Sequence, residues 1–291
     1  MNIGFIGLGL MGGAMVGRLQ DQGHALTVIC NRDRTYVDKA IARGATEVTT
    51  ARAVAEASDI VMLCMGTSDQ VEGRMRGDDG VIAGLKPGGI VIDFGTSKPA
   101  STRALGAEVA SAGGAYLDAP LGRTPAHAVD GLLNIMCAGD EAAFAKAKPA
   151  LDDLGENVFH LGALGSGHTI KLLNNFFGMT VANAMAEAFA MADKQGVDRQ
   201  ALYDVMSAGP LHSGMMDFVK GYGIDGDPAQ LAFAIKNAHK DVGYYAAMAE
   251  DSGVDSIMSK SALQALSEAE NQGRGDAMVS EMVDFFADRF K

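Results

Sequence analysis

Residues 2–12 constrain this chain more than any other stretch. A short apolar run, Asn2–Ile6, passes straight into Gly7-Leu8-Gly9-Leu10-Met11-Gly12 and then into a helix-compatible segment, Gly12–Gln22. In a G-x-G-x-x-G run set between strand and helix, each glycine has a task. The first makes a tight turn, the second lets backbone approach a pyrophosphate, and the third lets the helix pack closely on the strand. The helix then offers free N–H groups and the positive end of its dipole to the phosphates. The hexapeptide alone is a weak signal, and its place between strand and helix makes it a strong one.

Beyond this motif, short β-rich runs alternate with helical stretches through residue 162. Strands are expected at Asn2–Ile6, Ala25–Cys30, Asp59–Met65, Ile90–Phe94, Ala115–Asp118, Leu132–Ala138 and Val158–Leu161, with helices such as Arg34–Arg43, Pro99–Ala112 and Glu141–Leu154 between them. Most of the strands are continuously apolar rather than alternating, so both faces of the sheet should be covered. That pattern predicts an α/β Rossmann-type doubly wound sheet over residues 1–162. From Ser166 onward no strand is expected, and Ala, Met, Leu and Glu dominate. A long helix from about Gly167 to Lys194 opens an all-α domain, 163–291, broken at Gly209-Pro210, Gly221–Pro228 and Gly253. The long helix is apolar on nearly all sides, which suits burial between domain halves or subunits and predicts a homodimer or homotetramer.

A chain of 291 residues suits two domains, and 48% hydrophobic against 21% charged residues is a globular balance. The net charge of −12 argues against nucleic acid or an anionic membrane as partner. An acidic ligand would need local cations. Cys30, Cys64 and Cys137 sit in apolar runs without zinc spacing, as reduced thiols do in the cytoplasm. No apolar run approaches the roughly 20 residues that cross a bilayer, and the chain starts on a core strand without a basic leader, so a cytoplasmic protein is expected. The 17 methionines read as adaptable core filler and the 6 histidines as no metal set, so no metal is expected.

The second strand ends at Cys30-Asn31-Arg32-Asp33, about 20 residues past the last glycine, where an acid would bind the ribose 2′-hydroxyl of NAD. Asn31 and Arg32 come first, and a guanidinium pairs well with a 2′-phosphate, which favours NADP(H) over NAD(H). Asp33 keeps NAD open as the alternative.

Three further segments carry chemistry. They are Asp118-Ala119-Pro120-Leu121-Gly122-Arg123-Thr124-Pro125, then Gly162 to Asn175 with Lys171, and His239-Lys240-Asp241. Together with Gly7–Gly12 and Asp93–Pro99 they resemble, in order and spacing over nearly the whole chain, the β-hydroxyacid dehydrogenase family. That family includes 3-hydroxyisobutyrate dehydrogenases and tartronate and succinic semialdehyde reductases. The resemblance implies a catalytic lysine at Lys171, a substrate-orienting Asn175 and a cofactor-facing Lys240. It also implies cofactor contacts from Met65, Gly66 and Thr96.

The residue chemistry agrees. Lys171 and Asn175 are i and i+4 on one helix face and can meet one ligand. A lysine is an ammonium at neutral pH, so it can donate a proton to a carbonyl oxygen as hydride reaches the carbon. In the oxidative direction the same amine must first lose its proton.

The loop after Asp118 departs from the family's usual Asp-x-Pro-Val-Ser-Gly-Gly, because Gly122-Arg123-Thr124 replaces Ser-Gly-Gly. A cation stands where a hydroxyl and bare backbone would hold a carboxylate. With Asn174-Asn175 this resembles the branch of the family that reduces 3-sulfolactaldehyde to 2,3-dihydroxypropane-1-sulfonate, although Gly178 stands where that branch would carry serine. On this resemblance Arg123 and Asn174 bind the sulfonate, helped by backbone at Gly122 and Thr124. A carboxylated semialdehyde or 3-hydroxyisobutyrate is the alternative substrate, and Arg123 would then pair with a nearby acid to hold its loop. Imine reduction fits less well, since imine reductases generally lack a lysine at position 171. A binding protein without chemistry is disfavoured by the intact Lys171 and Asn175.

Overall fold

Continuous apolar strands form where both faces of a sheet are covered, and the computed structural model, which describes residues 1–291, has that arrangement in its first half. Contacts divide the chain into two units, Met1–Lys171 and Leu172–Lys291. The first begins β1 (Asn2–Ile6), α1 (Leu10–Asp21), β2 (Ala25–Ile29), α2 (Thr35–Ala42), β3 (Thr46–Val48), α3 (Ala51–Ala57) and β4 (Ile60–Leu63). It continues through α4 (Ser68–Met75), α5 (Val81–Gly84), β5 (Ile90–Asp93), α6 (Pro99–Ser111) and β6 (Ala115–Asp118). β7 (Leu121–Gly122), α7 (Pro125–Asp130), β8 (Leu133–Gly139), α8 (Glu141–Leu154) and β9 (Gly155–His160) complete it.

The sheet runs β3-β2-β1-β4-β5-β6-β8-β7, with β9 paired to β8. β1 to β6 are parallel, β8 is antiparallel to β6 and β7, and β9 is parallel to β8. Successive residues point to opposite faces. Ile3, Phe5, Ile60, Met62, Ile90 and Ile92 enter one buried cluster, while Ile6, Val61, Leu63 and Val91 enter another. That is why these strands carry no polar alternation. Truncating fully buried Phe5 to alanine would cost about 3–5 kcal/mol. The amino ends of the strands are closed by short turns at Gly23, Gly44, Gly88 and Gly113.

α9 (Ser166–Lys194) is one uninterrupted helix of 29 residues. The second unit adds α10 (Arg199–Ser207), α11 (Gly214–Gly223), α12 (Ile235–Asp251), α13 (Ile257–Ala269) and α14 (Met282–Arg289). Its only strand-like pairing is an isolated bridge between Ala234 and Met278. Asp198 and Ser213 cap α10 and α11 by accepting from the N–H groups of Ala201 and Met216. Met179, Met185, Met216 and Met282 fill the core around Phe189, Leu266 and Phe285, as the methionine content suggested. One face of α9 is buried at Met179, Met185 and Phe189, while Leu173, Phe177 and Met191 on it stay exposed. No helix is long and apolar enough to cross a membrane.

Candidate active site

The strand order reverses between β1 and β4, and at such a point the carboxyl ends of parallel strands open a crevice for ligand. Gly7 follows β1 with φ of 101°, and a Cβ there would lie 2.3 Å from the Cys64 carbonyl oxygen. A Cβ on Gly12 would lie 2.0 Å from the Gly7 carbonyl oxygen, so the turn tolerates only glycine at both places. Gly9 is the N-cap of α1 and supplies no side-chain cap. The first-turn N–H groups at Leu10 and Met11 are thus available to phosphate oxygens. Leu8, nearly buried, packs in the core beneath.

The loop after β2 sorts its charges. Asp33 Oδ1 accepts from the backbone N of Thr35 at 2.8 Å and from its hydroxyl at 2.6 Å, and these bonds hold its carboxyl below the ordinary aspartate range. Arg34 forks onto Glu47 at 3.1 and 3.0 Å. Asn31 and Arg32 are exposed, and Arg74 from α4 donates to Asn31 Oδ1 at 2.9 Å. The acid that would suit NAD is occupied, and a second cation stands beside Asn31.

Met65 and Gly66 follow β4, where Gly66 N donates to Gln70 Oε1 at 3.0 Å. After β5, Asp93 accepts from Gly95 N and Ser97 Oγ, both at 2.8 Å, which fixes Thr96 between them. Lys98 N donates to Ser68 Oγ at 2.8 Å and ties that loop to α4.

At the end of β6 the buried Asp118 carboxylate accepts from Gly165 N at 2.8 Å and His168 N at 2.7 Å, capping α9. Burial nonetheless pushes its carboxyl above the usual range. A Cβ on Gly167 would lie 2.2 Å from the Met136 carbonyl oxygen, so only glycine permits this approach. One turn on, Lys171 Nζ donates to the Leu121 carbonyl at 2.7 Å. The lysine therefore reaches the loop that continues into Gly122-Arg123-Thr124.

That loop is braced internally. Arg123 has φ of 76°, the only non-glycine residue with positive φ. Its Nη1 donates to the Leu132 carbonyl at 2.6 Å and pairs with Glu156 at 2.6 Å. Thr124 Oγ1 lies 2.8 Å from His127 Nδ1, and Gly122 pairs with Asn134 across β7 and β8.

Within the second unit, Asn175 is buried and its amide donates to Asp241 Oδ2 at 2.7 Å. Lys240 Nζ lies 2.9 Å from Asp241 Oδ1 and 5.3 Å above the Tyr244 ring. Asn174 Nδ2 contacts Asn175 Oδ1 at 3.3 Å. Asp241 thus joins two anticipated residues, Asn175 and Lys240, and sequence reasoning gave it no role. Its one signal is its place beside Lys240 in the His239-Lys240-Asp241 run. Asp118 and His168 lie in segments that carry the resemblance but receive no role from the sequence, and Arg74 has no sequence signal at all. No group of His, Cys, Asp and Glu side chains could hold a metal ion.

The thiols offer a direct check on this crevice. Cys137 is buried and Cys64, like Cys30, is partly exposed, but the surroundings of Cys64 and Cys137 push both of those thiols up to about 12. At pH 8 a thiol of that kind is about one part in 10⁴ thiolate, and the thiolate is the nucleophile. Titration of the native protein with an aromatic disulfide should modify Cys30 alone, with all three reacting after denaturation. Three fast thiols in the native state would contradict these raised values.

A switch-point crevice with a glycine turn and a phosphate-ready helix end is the cradle of a dinucleotide-binding protein. Residues 2–162 match the NAD binding domain of 6-phosphogluconate dehydrogenase, and residues 165–286 match the NAD-binding domain of NADP-dependent 3-hydroxyisobutyrate dehydrogenase. The chain is 37% identical over 206 residues to 2-hydroxy-3-oxopropionate reductase of Escherichia coli, covering 69% of this chain and 70% of that one. It is 30% identical over 276 residues to 3-sulfolactaldehyde reductase of Escherichia coli, covering 94% and 91%. A solved Mycobacterium tuberculosis 3-hydroxyisobutyrate dehydrogenase shares the fold with a TM-score of 0.85 at 24% identity, over 98% of both chains. The chain belongs to the β-hydroxyacid dehydrogenase family of NAD(P)-dependent oxidoreductases.

Proposed function

We propose that this enzyme reduces a small anionic aldehyde with NADPH, 3-sulfolactaldehyde being the first candidate, and runs in reverse as a 3-hydroxyacid dehydrogenase. The observation that carries the reading is the Lys171 ammonium, 2.7 Å from the Leu121 carbonyl and so beside the loop expected to hold the substrate anion. The nicotinamide supplies the hydride. Lys171 supplies the proton to the carbonyl oxygen, Asn175 orients that oxygen, and Gly122, Arg123, Thr124 and Asn174 receive the anion. Asp241 holds the Asn175 amide and draws Lys240 to the same carboxylate.

Sulfonate is favoured by the arginine in a loop conformation that suits glycine, and by the relative whose name specifies sulfolactaldehyde. A carboxylated semialdehyde is the second reading, favoured by the Arg123–Glu156 pair, which gives the guanidinium a bracing role. Steady-state reduction of 3-sulfolactaldehyde, succinic semialdehyde and methylmalonate semialdehyde, with each cofactor, decides between them. The highest kcat/KM is expected for sulfolactaldehyde with NADPH. A semialdehyde preferred by tenfold or more would move the assignment to the carboxylate branch.

The cofactor preference rests on Arg32 and Arg74. A charged hydrogen bond is worth about 1.5–3 kcal/mol. Arg32→Ala and Arg74→Met should therefore each raise KM for NADPH at least about tenfold and leave KM for NADH unchanged. Equal effects on both cofactors would place the 2′-phosphate elsewhere. The exposed Leu173, Phe177 and Met191 on α9 support a homo-oligomer, which light scattering after gel filtration would detect.

A further inference from the structure

His168 is fully buried, and so are the carboxylates of Asp93 and Asp118 that face it from two sides. Its Nδ1 lies 2.7 Å from Thr102 Oγ1 and 3.8 Å from Asp118 Oδ2. Its Nε2 lies 3.7 Å from Asp93 Oδ2 and makes no hydrogen bond. Thr102 Oγ1 donates to the Lys98 carbonyl at 3.2 Å, which leaves that oxygen to accept from Nδ1–H. The Tyr116 hydroxyl is buried beside them, and burial together with the Asp93 and Asp118 charges raises its phenol.

Two carboxylates and an imidazole in a dry interior are costly to desolvate, and apolar side chains of equal volume would pack there at less cost. Each acid holds a different working segment. Asp93 fixes the turn at Gly95 and Ser97 that carries Thr96. Asp118 fixes Gly165 and His168 at the start of α9, three residues ahead of Lys171, and its own strand leads to Leu121, whose carbonyl receives Lys171 Nζ. The imidazole faces both acids, and Thr102 ties it to α6.

We infer that His168 is a positioning residue. Through Thr102 it locks the start of α9 to the Lys98 carbonyl, which directly follows the Asp93–Ser97 turn, so that Lys171 is held in register with the cofactor-binding loop. The inference rests on the reading that Lys171 delivers the proton. A side chain of this kind acts on orientation at the reacting centre, where small displacements cost about 10²-fold.

The test is a double-mutant cycle in the full-length enzyme, read as kcat and KM for the best aldehyde substrate. His168→Leu should lower kcat about 30-fold or more and change both KM values less than about threefold, because interactions felt in the transition state leave ground-state binding alone. His168→Asn sets an amide nitrogen where Nδ1 stands and should recover at least about a third of the lost rate on the same scale. In the Lys171→Met background, His168→Leu should cost nothing further, since residues acting through one group are not additive. An equal loss in both backgrounds overturns the positioning role and leaves the reaction standing. Unchanged kcat in a folded His168→Leu enzyme overturns it as well, even where melting falls. A fully active Lys171→Met enzyme overturns both readings and needs no change at His168 to be seen. If His168→Leu fails to fold, Thr102→Val removes only the hydroxyl partner. It should lower kcat about three- to tenfold on the same orientation argument, and no effect there overturns the inference.

Discussion

Lys171→Met should lower kcat for aldehyde reduction by about 10³-fold while NADPH still binds. Positioned proton donors contribute about 10²–10⁴-fold, and 10³-fold corresponds to about 4 kcal/mol of barrier. Methionine keeps the length of the stem and removes the ammonium that donates to the Leu121 carbonyl. Lys171→Arg keeps a cation but lacks a transferable proton near neutrality, so it should not rescue the rate. Fluorescence titration of NADPH separates lost binding from lost chemistry. The direction of reaction gives a second readout, because oxidation needs the amine unprotonated and should peak at alkaline pH, with reduction peaking near neutrality. A variant within tenfold of wild type would remove Lys171 from the chemistry.

Arg123→Ala should cost about 100-fold in kcat/KM for the sulfonated aldehyde and little for a neutral aldehyde of similar size, as expected for one or two charged hydrogen bonds at about 1.5–3 kcal/mol each. Arg123→Gly should lose the same selectivity at little cost in stability. The positive φ of Arg123 carries about 1–2 kcal/mol of strain that glycine relieves, set against the loss of an exposed ion pair worth about 0.2–1 kcal/mol and of the hydrogen bond to the Leu132 carbonyl worth about 1 kcal/mol, so the two sides roughly cancel. Such a pairing of lost selectivity with a near-unchanged melting temperature would identify strain kept for recognition. If the preference among aldehydes survives both substitutions, Arg123 is a brace for its loop through Glu156 and the Leu132 carbonyl, and Glu156→Gln should then loosen the loop to the same extent.

Much of this organisation is visible in the chain itself. The glycine turn, the buried parallel strands and the long helix have local signatures, namely short-range spacing and continuous apolarity. Ser166–Lys194 was anticipated within a residue of its start. What escaped lacks such signatures. β3 is three residues long and carries Glu47, and β7 is two residues long inside a proline-rich loop. Asp118 and His168 stand 50 positions apart, and Asn175 and Asp241 stand 66 apart. These partnerships exist only after folding, since a carboxylate that caps another element's helix looks in sequence like any strand-end acid. Arg123 shows the converse. Its type was read as an anion ligand, while its backbone conformation and its bond to Glu156 depend on a loop geometry that composition does not encode.

The glycine turns at the amino ends of the strands have a consequence for how this protein can be altered. Gly23, Gly44, Gly88 and Gly113 each close a short reversal, with open space where a side chain would project. The segments proposed to bind cofactor and substrate, at Gly7–Gly12, Asn31, Met65, Thr96 and Gly122, follow the opposite ends of the strands. Extra sequence spliced in at Gly44 or Gly113, such as a tag, a reporter or a new pair of chain termini, would therefore meet solvent and leave the chemistry undisturbed. The same insertions after Ile6, Leu63 or Asp93 would separate the parts that have to act together. One rim of the sheet can take added length, while the other is held to the spacing that the glycine turn and the loops beside it require.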